Sequence, residues 1–118
     1  MILPDKMKAV VCYGPYDYRL ETVPVPEVGP DDILMKVKAC GICAGDIKSY
    51  KGAPMFWGGD GMPQWNKPPV IPGHEFIGEV AWIGENAKKK YGFGIGQKIV
   101  AEQIIPCGEC RYCLRGEY

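Results

Sequence analysis

The chain carries 16 glycines and 11 prolines in 118 residues, and they break it into apolar runs too short for long helices. Between the breaks lie strand-length segments, so the spacing predicts a mainly β domain with many turns. Residues 7–13 (MKAVVCY) read as a first strand ended by Gly14-Pro15, and residues 18–23 (YRLETV) as a second stopped by Pro24 and Pro26. After the turn Gly29-Pro30-Asp31-Asp32, residues 33–39 (ILMKVKA) form a third, with Lys36 and Lys38 expected opposite Met35 and Val37. A short helix is expected from about Ala44 to Lys51, ended by Gly52-Ala53-Pro54. Residues 53–69 show neither period and read as a long surface loop, of the kind that often serves function. Residues 76–83 and 98–105 read as the remaining strands. Lys88-Lys89-Lys90 is expected on a solvated loop between Gly84 and Gly92. Gly92-Phe93-Gly94-Ile95-Gly96 does not have the spacing of a dinucleotide-binding turn and reads as a connecting loop.

Lysine plus arginine balance aspartate plus glutamate at 14 each, so no net field draws nucleic acid. The N-terminus lacks the apolar run of a signal peptide, and no segment reaches the roughly 20 apolar residues of a membrane span. Six cysteines in such a chain suggest thiols and metal over disulfides, and hence a cytoplasmic setting. The length, residues 1–118, allows one domain with a modest core.

Two groups of residues carry chemistry. Cys107, Cys110 and Cys113 recur every third position, a spacing that lets a tight loop wrap one metal. An iron–sulfur run would place a fourth cysteine where Glu117 stands, so zinc is favoured and the fourth ligand is left open. The other group is Cys43, the single histidine His74, and Glu75 beside it. Thiolate, imidazole and carboxylate are zinc ligands. Residue types alone leave open both a metal site and a packed histidine with a buried thiol. Asp46 favours the metal, since a ligating imidazole usually gives its other N–H to a carboxylate.

The order Gly41-Ile42-Cys43-x-x-Asp46, Pro72-Gly73-His74-Glu75-x-x-Gly78-Glu79-Val80, Gly96-Gln97-Lys98-Ile99-Val100 and Cys107-Gly108-x-Cys110-x-x-Cys113-x-x-Gly116 resembles the zinc-containing medium-chain alcohol dehydrogenases. The resemblance covers nearly the whole chain. It implies the N-terminal catalytic domain of that family, a GroES-like, partly open β-barrel with a short helix after Cys43 and a cysteine-rich zinc loop near the C-terminus. It further implies that Cys43 and His74 ligate a catalytic zinc, with Glu75 a ligand in the polyol-dehydrogenase branch and Asp46 orienting the histidine. Cys107, Cys110 and Cys113 match three of four ligands of a structural zinc, the fourth falling three positions beyond Tyr118. NAD or NADP would be held by a nucleotide-binding domain outside these residues, so the chain looks like a fragment of a longer, homo-oligomeric enzyme.

Two departures stand out. Gly45 replaces the Ser or Thr that many members use to pass the substrate proton. Lys48 stands where many have histidine, which makes it a candidate proton acceptor or cofactor-phosphate contact, against the plainer role of a solvated helix lysine. The expected function is oxidation of an alcohol or polyol to the carbonyl compound. A stand-alone zinc-stabilised binding module, needing only Cys107–Cys113, is the alternative. An open coordination position at Cys43 would separate the two.

Overall fold

The computed structural model describes residues 2–118. Strands β1 (Lys6–Gly14) and β2 (Asp17–Pro24) form an antiparallel hairpin. The loop between them is Pro15-Tyr16, and Tyr16 takes a left-handed φ of 59°. That conformation usually falls to glycine or asparagine. Here the tyrosine gains other contacts: its N–H donates to the Tyr50 carbonyl at 2.9 Å, and its ring meets that of Tyr50 edge-on at 5.1 Å. Tyr18 approaches the same ring at 5.0 Å. The hairpin therefore grips the end of the helix α1 (Ala44–Tyr50).

A second sheet has the order β3 (Ile33–Gly41), β6 (Glu75–Ile83) and β7 (Lys98–Val100), all antiparallel. Two register shifts interrupt β3 against β6, and between them Gly78 faces Val37. A Cβ at Gly78 would run into the Lys36 carbonyl and Met35, so the close crossing needs glycine there. Between α1 and β6 in the chain come α2 (Pro54–Trp57) and the small hairpin of β4 (Gly58–Gly59) and β5 (Met62–Gln64). Val70 and Cys12 exchange N–H···O bonds of 2.8 and 3.1 Å, which fasten the end of this segment to β1.

The domain is mainly β, and among the described residues no barrel closes. The body is a slab of 46 × 40 × 21 Å. A body so thin has little interior. Among the described residues the buried apolar side chains are Val11, Cys12, Val80 and Ala87, while Val37, Ile77 and Val100 on the second sheet are exposed.

Three sequence expectations are corrected. Residues 84–92 are a helix, α3 (Glu85–Tyr91), rather than a solvated loop. Its flanking glycines act as caps: Gly92 is left-handed and donates its N–H to the Lys88 carbonyl. Glu85 in the first turn and Lys88, Lys89 and Lys90 in the last suit the helix dipole, and Asn86 and Ala87 donate their N–H groups to the Pro30 carbonyl. The last strand ends at Val100 instead of Ile105. Val100 pairs with Ile77 at the edge of the sheet, and beyond it the chain leaves β6; alternation makes a strand only where a partner backbone runs alongside. Residues 53–69, expected as loop, contain α2 and the β4–β5 hairpin, whose turn uses left-handed Asp60 and Gly61. On β3, Val37 is exposed like Lys36 and Lys38, and Lys38 pairs with Glu79 at 3.1 Å.

Candidate metal centre

Cys43 is the N-cap residue of α1, in extended backbone conformation. Its sulfur accepts the Gly45 N–H at 3.2 Å, in the place a serine or aspartate oxygen usually takes. Asp46 completes the cap by accepting the Cys43 N–H at 2.9 Å through Oδ2. Its other oxygen, Oδ1, lies 3.5 Å from His74 Nδ1. One carboxylate thus fixes the helix start and faces the histidine ring.

The histidine arrives from the other side. Gly73, at φ 118°, turns the chain so closely over β3 that a Cβ would stand 2.9 Å from the Cys40 sulfur. His74 then presents Nε2 3.2 Å from the Cys43 sulfur. Glu75 opens β6 opposite Gly41, and a Cβ on Gly41 would lie 2.6 Å from its Oε2. The donor atoms of Cys43, His74 and Glu75 all fall within 4.8 Å of one another. Zinc bonds of about 2.3 Å to sulfur and 2.0–2.1 Å to nitrogen set tetrahedral donors about 3.5 Å apart. The 3.2 Å spacing is close to that, and a mixed S, N, O set of three leaves a fourth position for water or substrate. The residues fit a catalytic-type zinc.

Beside His74 runs a cleft of about 160 Å³, whose walls include Tyr18, Gly45, Asp46, Ser49, Phe56 and Asn66. Of the sequence candidates, Lys48 is not brought to this cluster. It stands exposed on α1 and does not line the cleft. Ser49 and Asn66 were not candidates. Ser49 lies within a helix too short to show a period, and Asn66 within a stretch that shows none.

The second cluster is local. Cys110 caps the short helix α4 (Arg111–Leu114) by accepting the Cys113 N–H, and Cys107 accepts the Cys110 N–H at 3.4 Å. Backbone N–H groups of Glu109 and Cys110 directed at the sulfur draw the Cys107 thiol down to about 7. The Cys107 and Cys113 sulfurs are 3.6 Å apart, near the roughly 3.8 Å edge of a tetrahedral zinc thiolate. Three thiols at these positions fit a zinc with one ligand still to be supplied.

Comparison with known proteins identifies the family. The alcohol dehydrogenase GroES-like domain family matches residues 29–118. An erythritol/L-threitol dehydrogenase of Mycolicibacterium smegmatis is 51% identical over 98% of this chain and 32% of the relative. A sorbitol dehydrogenase of Bacillus subtilis is 34% identical over 98% of this chain and 30% of the relative. Among solved structures, a protein of Sinorhizobium meliloti 1021 described as a zinc-binding dehydrogenase, bound to NADP, superposes with a TM-score of 0.76 at 36% identity, covering 96% of this chain and 29% of that one. The chain spans about a third of the length of the curated relatives it matches. No described helix is long and apolar enough to cross a membrane. From its motifs, its fold and this match, the chain belongs to the alcohol dehydrogenase GroES-like domain family, the domain type of the zinc-containing medium-chain dehydrogenases.

Proposed function

We propose that this chain is the zinc-binding catalytic domain of an NAD(P)-dependent enzyme that oxidises an alcohol or polyol to its carbonyl compound. The observation that carries this reading is the Cys43–His74–Glu75 donor set, with Asp46 on the second nitrogen of the histidine and a cleft alongside. The nucleotide-binding part is expected outside these 118 residues, as the greater length of the relatives suggests. When bound, zinc supplies a Lewis acid for the alcohol oxygen, and a nicotinamide supplies the acceptor for the hydride on the same carbon.

The chain's own residues do the rest. Cys43, His74 and Glu75 hold the metal, and Asp46 keeps the histidine in the tautomer that offers Nε2. Phe56 and Pro72 wall the cleft and limit water. Gly45 offers no hydroxyl to carry the substrate proton, and Lys48, exposed on α1 and outside the cleft lining, is the candidate acceptor or cofactor-phosphate contact. Cys107, Cys110 and Cys113 hold a structural zinc. A cytoplasmic, oligomeric full-length enzyme belongs to the same proposal and rests on the family alone.

The test is to load the 118-residue chain with zinc and follow reduced nicotinamide with a panel of alcohols and polyols, alone and after joining it to the downstream region. Turnover is expected only in the joined protein, with Glu75→Gln weakening zinc and Lys48→Met slowing turnover more than Lys48→Arg. Zinc-dependent turnover by the 118 residues alone would overturn the assignment of the cofactor to another region.

A further inference from the structure

The cleft beside His74 is mixed in character. Its walls include His74, Gly45 and Phe56. A Cβ on Gly45 would stand 3.2 Å from the Cys43 sulfur and 3.8 Å from Phe56 Cζ, so glycine keeps the passage between thiol and ring open. The same walls also carry the polar side chains of Tyr18, Ser49 and Asn66. Asn66 Nδ2 donates to Ser49 Oγ at 2.8 Å, a contact between residues 17 apart in sequence. The pair is held from behind. Trp57 Nε1 donates to the Ser49 carbonyl at 2.7 Å, and the Asn66 N–H donates to the Phe56 carbonyl at 2.9 Å. The Ser49 hydroxyl accepts from Asn66 and also hydrogen-bonds to Tyr18, which leaves it one lone pair to accept with, and the asparagine carbonyl oxygen still accepts.

We propose that Ser49 and Asn66 are specificity-determining residues that receive a second hydroxyl group of a short polyol whose reacting carbon lies at the His74 end. The inference rests on the dehydrogenase reading and narrows its substrate. A cleft of about 160 Å³ suits a short neutral chain. No lysine or arginine lines it among the described residues, while the Asp46 carboxylate does. An amino acid, a sugar acid or a sugar phosphate would find no cationic side chain in this lining to hold its anion away from the metal end. A monohydric alcohol would cover the Ser49–Asn66 pair and leave the Asn66 carbonyl oxygen without a donor, the arrangement by which a polar pocket rejects an analogue lacking a hydroxyl.

The experiment uses the zinc-loaded full-length enzyme and the variants Ser49→Ala, Ser49→Thr and Asn66→Leu, with folding checked by circular dichroism. The readout is the ratio of kcat/KM for erythritol to that for 1-butanol, two substrates of equal carbon number. Ser49→Ala and Asn66→Leu are each expected to lower this ratio by about 10- to 100-fold, mainly through KM for erythritol, with partial rescue by Ser49→Thr. A ratio unchanged in folded Ser49→Ala overturns the proposal. Saturation-transfer NMR of erythritol on the same proteins separates the two readings. If wild-type protein oxidises no alcohol, the dehydrogenase reading falls, while an erythritol signal lost in both variants still supports the polar pair. A signal retained in both variants overturns it.

Discussion

The two thiol-bearing clusters are built in opposite ways. Cys107, Cys110 and Cys113 are gathered by one loop and the first turn of α4, and the Cys107 and Cys110 sulfurs each accept the backbone N–H of the residue three positions on. Cys43 and His74 are 31 positions apart and meet only because β3 pairs with β6 in a bulged register that crosses at Gly78. The local cluster is exposed and needs little of the fold, whereas the distant one inherits every error in the sheet that assembles it. A donor set held by the fold can be tuned through residues that never touch the metal, and one held by a loop cannot.

Removal of a donor gives the largest effect. His74→Ala is expected to abolish zinc at the Cys43 site while leaving circular dichroism and the Cys107–Cys113 zinc intact, read by metal stoichiometry. Retention of the full metal content would show that the two clusters do not hold separate ions. Next is Asp46→Asn, which keeps the shape but weakens the carboxylate facing His74. Zinc affinity at this site should drop by about 10- to 100-fold in a chelator competition, without change at the cysteine loop.

Gly78→Ala probes the crossing of β3 and β6. The added methyl meets the Lys36 carbonyl and Met35, so a loss of about 2 kcal/mol is expected in urea unfolding, with weaker zinc at the Cys43 site only. Equal weakening of both zincs would erase the distinction between a fold-held and a loop-held cluster. The smallest effect concerns Cys107. Because its folded thiol titrates near 7, below the ordinary cysteine value, the thiolate persists as pH falls to that point and is lost below it. In metal-free protein its alkylation at pH 7 should run about tenfold faster than that of an ordinary exposed cysteine, as mass spectrometry would read, and zinc should suppress it.

Local patterns were legible and long-range ones were not. The first three strands fall within a residue or two of their alternating runs, because alternation and the flanking glycines and prolines act over a few positions. Those same glycines misled at α3, where Gly84 and Gly92 cap a helix instead of flanking a loop. The difference lies in contacts from the 29–32 turn that no local pattern records: the Gly84 N–H reaches the Asp32 carbonyl, and those of Asn86 and Ala87 reach Pro30. At the site, residue types suggested donors, and the resemblance grouped them. Neither could supply Ser49 and Asn66, whose meeting depends on how residues 53–69 fold back over α1.

The tyrosine grip on α1 sets a mechanical tolerance. Cys43 stands at one end of a seven-residue helix and Tyr50, wedged by Tyr16 and Tyr18, at the other. Such a helix is about 10 Å long, so a tilt of about 5° pivoting at the aromatic end would carry the thiol by roughly 1 Å. Displacements of that size can cost on the order of a hundredfold in rate when they reach a reacting centre. The β1–β2 hairpin, which supplies no metal donor itself, is therefore an alignment jig for one of them, and wear at its tip would be felt at the far end of the lever.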